Sequence, residues 1–202
     1  TGIKLPDEKP GLIPTSAWKK DKLGEPWYPG DTYINSIGQG FIQVSPIQAC
    51  QLIGAVANGG VFYRPNLVLQ TRNRETGTVK QTSPERKGRV VIDPAALEEL
   101  RKALIGVVSE PGGTGHGAQT PIATVAGKTG TAQVIAQKDT QKKLYGKMQD
   151  HAWFIAYAPV ENPRIAVAVL VEHGGHGGGA AAPIARRVIE EYMKNVVSKM
   201  VQ

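Results

Sequence analysis

The sequence predicts an α+β fold in which helices cover an antiparallel sheet. Three observations carry this. Glycine and proline account for 24 and 14 of the 202 residues, well above the usual ~12% for the pair, which argues against a helical bundle and for a turn-rich mixed fold. The last third holds three strand-like runs, 122–135, 152–158 and 164–172. A closing stretch then repeats apolar residues at helical spacing.

Taken in order, residues 1–40 read as irregular, because Pro6, Pro10, Pro14, Pro26 and Pro29 repeatedly interrupt helix continuation. A helix follows. Ser45 is its cap, Pro46 suits the first helical position and Gly59-Gly60 end it. Ile47, Cys50, Ile53 and Val56 or Ala57 form its apolar stripe. Runs 67–72 and 78–82 flank Glu75-Thr76-Gly77 and read as a hairpin. Asp93-Pro94 opens a second helix with Leu97, Leu100, Leu104 and Val107 inward, closed by Pro111-Gly112-Gly113. The short connection 159–163 makes the second and third strand runs an antiparallel hairpin. Residues 165–171 are apolar on both faces, as expected of a central strand covered on both sides. The Gly-rich loop 174–179 leads into a last helix with Ile184, Val188, Ile189, Tyr192, Val196 and Met200 on one face.

Composition excludes several classes. The longest apolar run has seven residues, far below the ~20 that span a bilayer. The first thirty residues are charged and Pro-rich, with no signal-peptide core. Cys50 is the single cysteine, so neither an internal disulfide framework nor a cysteine-built metal site is expected. The net charge of +7 concentrates in two stretches. One carries Arg64, Arg72, Arg74, Lys80, Arg86, Lys87 and Arg89 against Glu75 and Glu85. The other carries Lys138, Lys142, Lys143 and Lys147 against Asp139. Both read as solvated loops or hairpins rather than nucleic-acid surfaces, since only Tyr145 interleaves with the cations.

The sharpest local signal is Gly127-Lys128-Thr129-Gly130-Thr131. A strand with this sequence supplies a fixed cation for an anionic substrate group, and two hydroxyls for a carboxylate. Its glycine lets a substrate backbone lie close, and its N–H groups can serve an oxyanion hole. A P-loop is excluded, because Ile122 stands where that motif needs glycine and the segment does not open a helix. His173 and His176 in the Gly-rich loop have no third ligand nearby in sequence, with His116 and His151 distant, so no metal site is read. No cofactor site is read either. Ser16-Ala17-Trp18-Lys19 fits S-x-x-K, the nucleophile motif that accompanies K-T-G in penicillin-recognising enzymes. The residues after it are polar and broken by Gly24 and Pro26, so it is not expected to form a buried helix and Ser16 reads as a decoy. The companion S-x-N is absent.

Together these pieces resemble the C-terminal part of the transpeptidase domain of the class B penicillin-binding proteins of cell elongation. The resemblance rests on Gly11-Leu12-Ile13-Pro14 with Trp18-Lys19, on Trp27-Tyr28-x-Gly30-Asp31-Thr32, and on Ile37-Gly38-Gln39-Gly40 followed by Ser45-Pro46-Ile47-Gln48. It continues through Ala126-Gly127-Lys128-Thr129-Gly130-Thr131-Ala132-Gln133, His151-Ala152-Trp153-Phe154, Tyr157-Ala158-Pro159 and Ala182-Pro183-Ile184. These occur in the family's order along nearly the whole chain.

The resemblance implies a partial penicillin-binding-protein/β-lactamase-like fold, with a five-stranded antiparallel sheet against helices. Residues 1–202 would form the C-terminal part of one domain. Residues 1–120 would be its mostly helical or irregular part with a hairpin, and 121–202 would bring three strands and the closing helix. Because the chain opens on Thr1, it is taken as a fragment or processed form, with S-x-x-K and S-x-N upstream. The implied activity of the parent is serine-type D,D-transpeptidation in peptidoglycan cross-linking, and the fragment alone would be inactive. Lys128 and Thr131 would serve catalysis, and Lys128, Thr129, Gly130 and Thr131 would bind substrate. Implied partners are peptidoglycan stem peptides, β-lactams, the missing N-terminal part, and a membrane elongation machinery with a lipid-linked glycan polymerase. Nucleic acid is not among them. The implied location is the periplasmic face of the bacterial inner membrane. A non-catalytic stem-peptide-binding module and a basic nucleic-acid-binding module stand as alternatives; motif order favours the enzyme.

Overall fold

The computed structural model describes residues 1–134 and 149–200. The second basic run, Lys138 to Lys147, and the end of the first strand run at Ile135 fall outside them, as do the side chains of Val196 and Met200.

The helix starts written in the sequence are where the chain folds into helix. Helix α3 runs Pro46–Ala57 after Ser45, whose hydroxyl accepts the Gln48 N–H while the Gln48 side chain accepts the Ser45 N–H. This reciprocal box satisfies two donors that would otherwise be unpaired. Helix α4 runs Pro94–Ser109 behind Asp93, which accepts the Ala96 N–H. Arg101 of α4 donates to the Val56 and Ala57 carbonyls, closing the C-terminus of α3.

Two further helices correct the irregular reading of residues 1–40. Helix α1 is Ser16–Leu23 and α2 is Pro29–Ser36. The prolines bracket these helices instead of breaking them. Pro29 occupies the first helical position, where its missing N–H costs nothing. Thr15 caps α1 by accepting the Trp18 N–H, and Gly24, at φ +70°, ends it.

Four short strands follow α3. Strands β1 (Val61–Tyr63) and β4 (Arg86–Arg89) pair antiparallel, as do β2 (Gln70–Arg72) and β3 (Val79–Gln81). The second pair is the expected hairpin. Arg64 pairs with Glu85 at 2.5 Å, and the other basic side chains of this lobe face solvent.

The main sheet is β5 (Ala126–Ala132), β6 (His151–Ala158) and β7 (Ile165–Val171), antiparallel in that order. Helix α5, Gly177–Met200, packs on one face, and α3 and α4 pack on the other. Alternation along β6 separates two cores. Ala152, Phe154 and Ala156 join Ala181, Ala182, Ala185 and Ile189 of α5. Tyr157 joins Ile53, Val56, Ala57 and Leu104.

Among the described residues β6 is the middle strand and β7 lies at the sheet's edge, and helices cover both faces of β7, as its two-sided apolar sequence leads one to expect. Two sequence expectations are corrected here. The buried face of α5 is built from alanines and Ile189, while Ile184 and Val188 are exposed, because small side chains let the helix approach the sheet closely. Leu100 is likewise 41% exposed; the inward face of α4 passes through Leu97, Arg101 and Leu104 instead.

The candidate site along the Lys128 strand

The register places Lys128 opposite Ile155, Thr129 opposite Phe154, Gly130 opposite Trp153 and Thr131 opposite Ala152. Side chains alternate, so Lys128 and Gly130 share the face toward α3 and α4, and Thr129 and Thr131 the face toward α5. Among the described residues strand β5 pairs with β6 on one side only. In an antiparallel ladder a residue directs its N–H and C=O to the same side. The Thr131 carbonyl accepts a bond from outside the sheet, from Gln39. The Thr131 N–H therefore faces that same outer edge, beside an exposed Lys128 whose ammonium donates to the Thr129 carbonyl at 2.9 Å.

All four candidate positions, Lys128-Thr129-Gly130 and the following Thr131, lie on β5, and the structure adds residues that motif reading missed. Gln39 donates from Nε2 to the Thr131 carbonyl at 2.7 Å, and its Oε1 accepts the Gln133 N–H at 3.4 Å. It stands in the loop after α2, between Gly38 and Gly40 at φ +74° and +77°. Thr114, in the turn after α4, shares a hydroxyl–hydroxyl bond of 2.7 Å with Thr129. The motif Ile37-Gly38-Gln39-Gly40 was a signal for the first. Nothing local marks the second, since its partner is fifteen residues away.

The Gly-rich stretch also finds its use. Gly177 and Gly178 begin α5 instead of belonging wholly to a loop. A Cβ on Gly177 would overlap the Trp153 carbonyl and lie 2.7 Å from that of Gly130, and one on Gly178 would overlap the Thr114 carbonyl. The start of α5 therefore lies directly against the backbone of the Lys128 strand and its neighbour.

The His151 and His173 rings meet at 4.7 Å with a 55° tilt, and the His173 N–H donates to His151 Nδ1, whereas His116 bonds the Val108 carbonyl.

The S-x-x-K segment is helical, against the irregular reading of residues 1–40, but it is not a buried helix: Lys19 is its one buried residue. Ser16 and Lys19 lie on α1, and Lys19 is only 3% exposed. Ser16 is exposed. The Lys19 ammonium instead donates to Asp31 Oδ2 at 2.7 Å, with Glu25 at 3.6 Å and the Tyr28 ring centroid at 4.6 Å. The Asp31 hydrogen bond raises the Lys19 pKa, and the same bond lowers that of Asp31.

Residues 1–190 match the family described as penicillin binding protein transpeptidase domain. The chain is 37% identical over 198 residues to the peptidoglycan D,D-transpeptidase MrdA of Salmonella typhimurium, covering 94% of this chain and 31% of that protein. It resembles the crystal structure of Pseudomonas aeruginosa PBP2 in complex with WCK 5153 at a TM-score of 0.75 and 35% identity, over 94% of this chain and 39% of that one. Helicobacter pylori PBP2 in its complex with MreC gives a TM-score of 0.72 at 29% identity, over 94% and 33% of the two chains. The chain thus spans about a third of the length of the relatives it matches.

Proposed function

The chain belongs to the penicillin-binding-protein transpeptidase family, and on that premise we propose that it forms the substrate-binding wall of a D,D-transpeptidase domain in peptidoglycan cross-linking. The observation that carries this reading is the outer edge of β5, where Lys128, the Thr131 N–H and the slender Gly130 converge along a margin that no strand among the described residues pairs.

In the proposed reaction a serine oxygen attacks the carbonyl between the two terminal D-Ala residues of a stem peptide. The tetrahedral centre collapses with loss of D-Ala, whose nitrogen takes a proton, and an acyl-enzyme remains. The amine of a second stem peptide then displaces the serine. The Thr131 N–H stabilises the oxyanion at each tetrahedral stage. Thr129 and Thr131 hold the terminal carboxylate. Lys128 adds positive potential and positions the hydroxyl of an S-x-N serine. The nucleophile, its lysine and that second serine come from outside residues 1–202, so the isolated chain is inactive. Residues 1–202 are then the C-terminal part of one domain acting at the extracytoplasmic face of the inner membrane. β-Lactams are substrate mimics, and the elongation machinery, including a MreC-like partner and a glycan polymerase, is the setting.

Fluorescent penicillin tests the reading. The full-length protein becomes covalently labelled, Lys128→Ala lowers the labelling rate by about a hundredfold or more, and residues 1–202 alone stay unlabelled. A full-length protein that takes no label, or a Lys128→Ala variant labelled at the wild-type rate, overturns it.

A further inference from the structure

The S-x-x-K segment has no part in that reaction, yet its lysine is the one buried charged side chain among the described residues. Burying an ammonium is costly unless its charge is met, and a buried ion pair is weak evidence for stability by itself. Lys19 is met from four sides. Asp31 on α2 lies at 2.7 Å, Glu25 between the helices at 3.6 Å, the Tyr28 ring at 4.6 Å and the Phe41 ring at 6.0 Å. Asp31 Oδ2 also accepts the Tyr28 N–H at 2.7 Å. Phe41 packs in turn on Trp18, with ring centroids 5.3 Å apart.

This arrangement ends two residues from Gln39. The intervening loop has little freedom. The Gln39 N–H donates to the Ile34 carbonyl at 3.1 Å, and the Gln43 N–H to that of Leu12 at 2.9 Å. A Cβ on Gly40 would come within 2.8 Å of Ile34. Gln39 then meets the β5 edge as a neighbouring strand would, with donor to Thr131 and acceptor from Gln133. It thereby ends the open stretch of edge just past the Thr131 N–H.

We propose that Lys19 is a positioning residue for the substrate edge: with Asp31 and Phe41 it fixes the loop that places the Gln39 amide against Thr131 and Gln133. This rests on the transpeptidase reading of that edge. The Gln39 amide fixes the peptide that follows Thr131, the unit adjoining the one that carries the Thr131 N–H, and with it the point at which a bound peptide backbone must leave the strand. Lys19 thus acts on the reaction through Gln39 and touches no substrate.

The test compares Lys19→Met, Gln39→Ala and the double variant in the full-length protein. It reads the rate of acylation by fluorescent penicillin and the hydrogen exchange of the Gln133 amide. Each single variant is expected to slow acylation about tenfold or more, the scale on which small misplacement acts. The double variant should be no slower than the slower single, because both remove one linkage. Multiplying effects, or a wild-type rate in Lys19→Met, overturn the proposal. Should Lys19→Met fail to fold, Phe41→Leu interrupts the same chain of contacts at a more exposed position; slowed acylation supports the proposal and a wild-type rate refutes it. Should the wild-type protein take no penicillin, the functional reading fails, and Gln133 exchange decides the linkage alone. Faster exchange in the folded variant supports it, and unchanged exchange refutes it.

Discussion

The side-chain amide of Gln39 donates to the main-chain carbonyl of Thr131 at 2.7 Å, joining positions 92 residues apart. One end of the β5 edge is therefore closed by a side chain, with no other strand beside it among the described residues. From beneath, the same strand is bounded by the start of α5, where Gly177 lies against Gly130 and the Trp153 carbonyl. The edge between is the surface on which the proposed chemistry depends.

Gly177→Ala tests that lower boundary. The added methyl must push α5 away from backbone atoms that cannot rotate aside, an overpacking that costs about 1–3 kcal/mol. Urea denaturation should show the loss, and penicillin labelling should slow with it. An unchanged midpoint would mean the contact is looser than its geometry indicates.

Ser16→Ala should leave penicillin labelling of the full-length protein at the wild-type rate. Ser16 is exposed on α1, and the lysine one turn on is engaged by Asp31 and Glu25. Loss of the label would make Ser16 the nucleophile and invert the reading of this segment.

Asp31→Asn should lower the urea midpoint at pH 7, and the gap from wild type should close in acid. The sign follows from the direction of the shift: hydrogen bonding to Lys19 lowers the Asp31 pKa. Its contribution is present above the unfolded carboxylate pKa, about 3.9, and is lost as pH falls through the lower folded value. Lys19 has the opposite sense. Its raised pKa keeps its contribution complete below about 10.4 and loses it only as pH rises through the higher folded value. The pair is thus insensitive to pH across the neutral range. A gap that widens toward pH 3 would refute the assignment.

Tyr157→Phe should be neutral or stabilising by up to about 1 kcal/mol, since an unpaired buried hydroxyl is a cost that the substitution removes. The Tyr157 ring is fully buried and its hydroxyl has no hydrogen-bond partner among the described residues. Burial pushes its pKa upward. Thermal denaturation decides, and a loss above about 1 kcal/mol would reveal a partner for the hydroxyl.

Much of the fold was legible from short stretches. Ser45-Pro46 and Asp93-Pro94 each begin a helix, and the three strand runs of the last third form one antiparallel sheet. The prolines of residues 1–40 misled because the same residue stops a helix from within and starts one from its first position, and Pro29 does the latter. Large apolar residues misled in α5, where alanines lie nearest the sheet and Ile184 and Val188 face outward.

Capping, turn formation and strand alternation act over a few residues, so the order of amino acids determines them directly. The helix starts, the sheet runs and the Lys128-Thr129-Gly130 strand belong to this class. The place of that strand at a sheet edge, the Thr114–Thr129 bond, the closure of the edge by Gln39 and the enclosure of Lys19 belong to another. Each needs groups far apart in sequence to meet at hydrogen-bonding distance, and only the packing of the whole chain sets which polar group arrives at which strand edge.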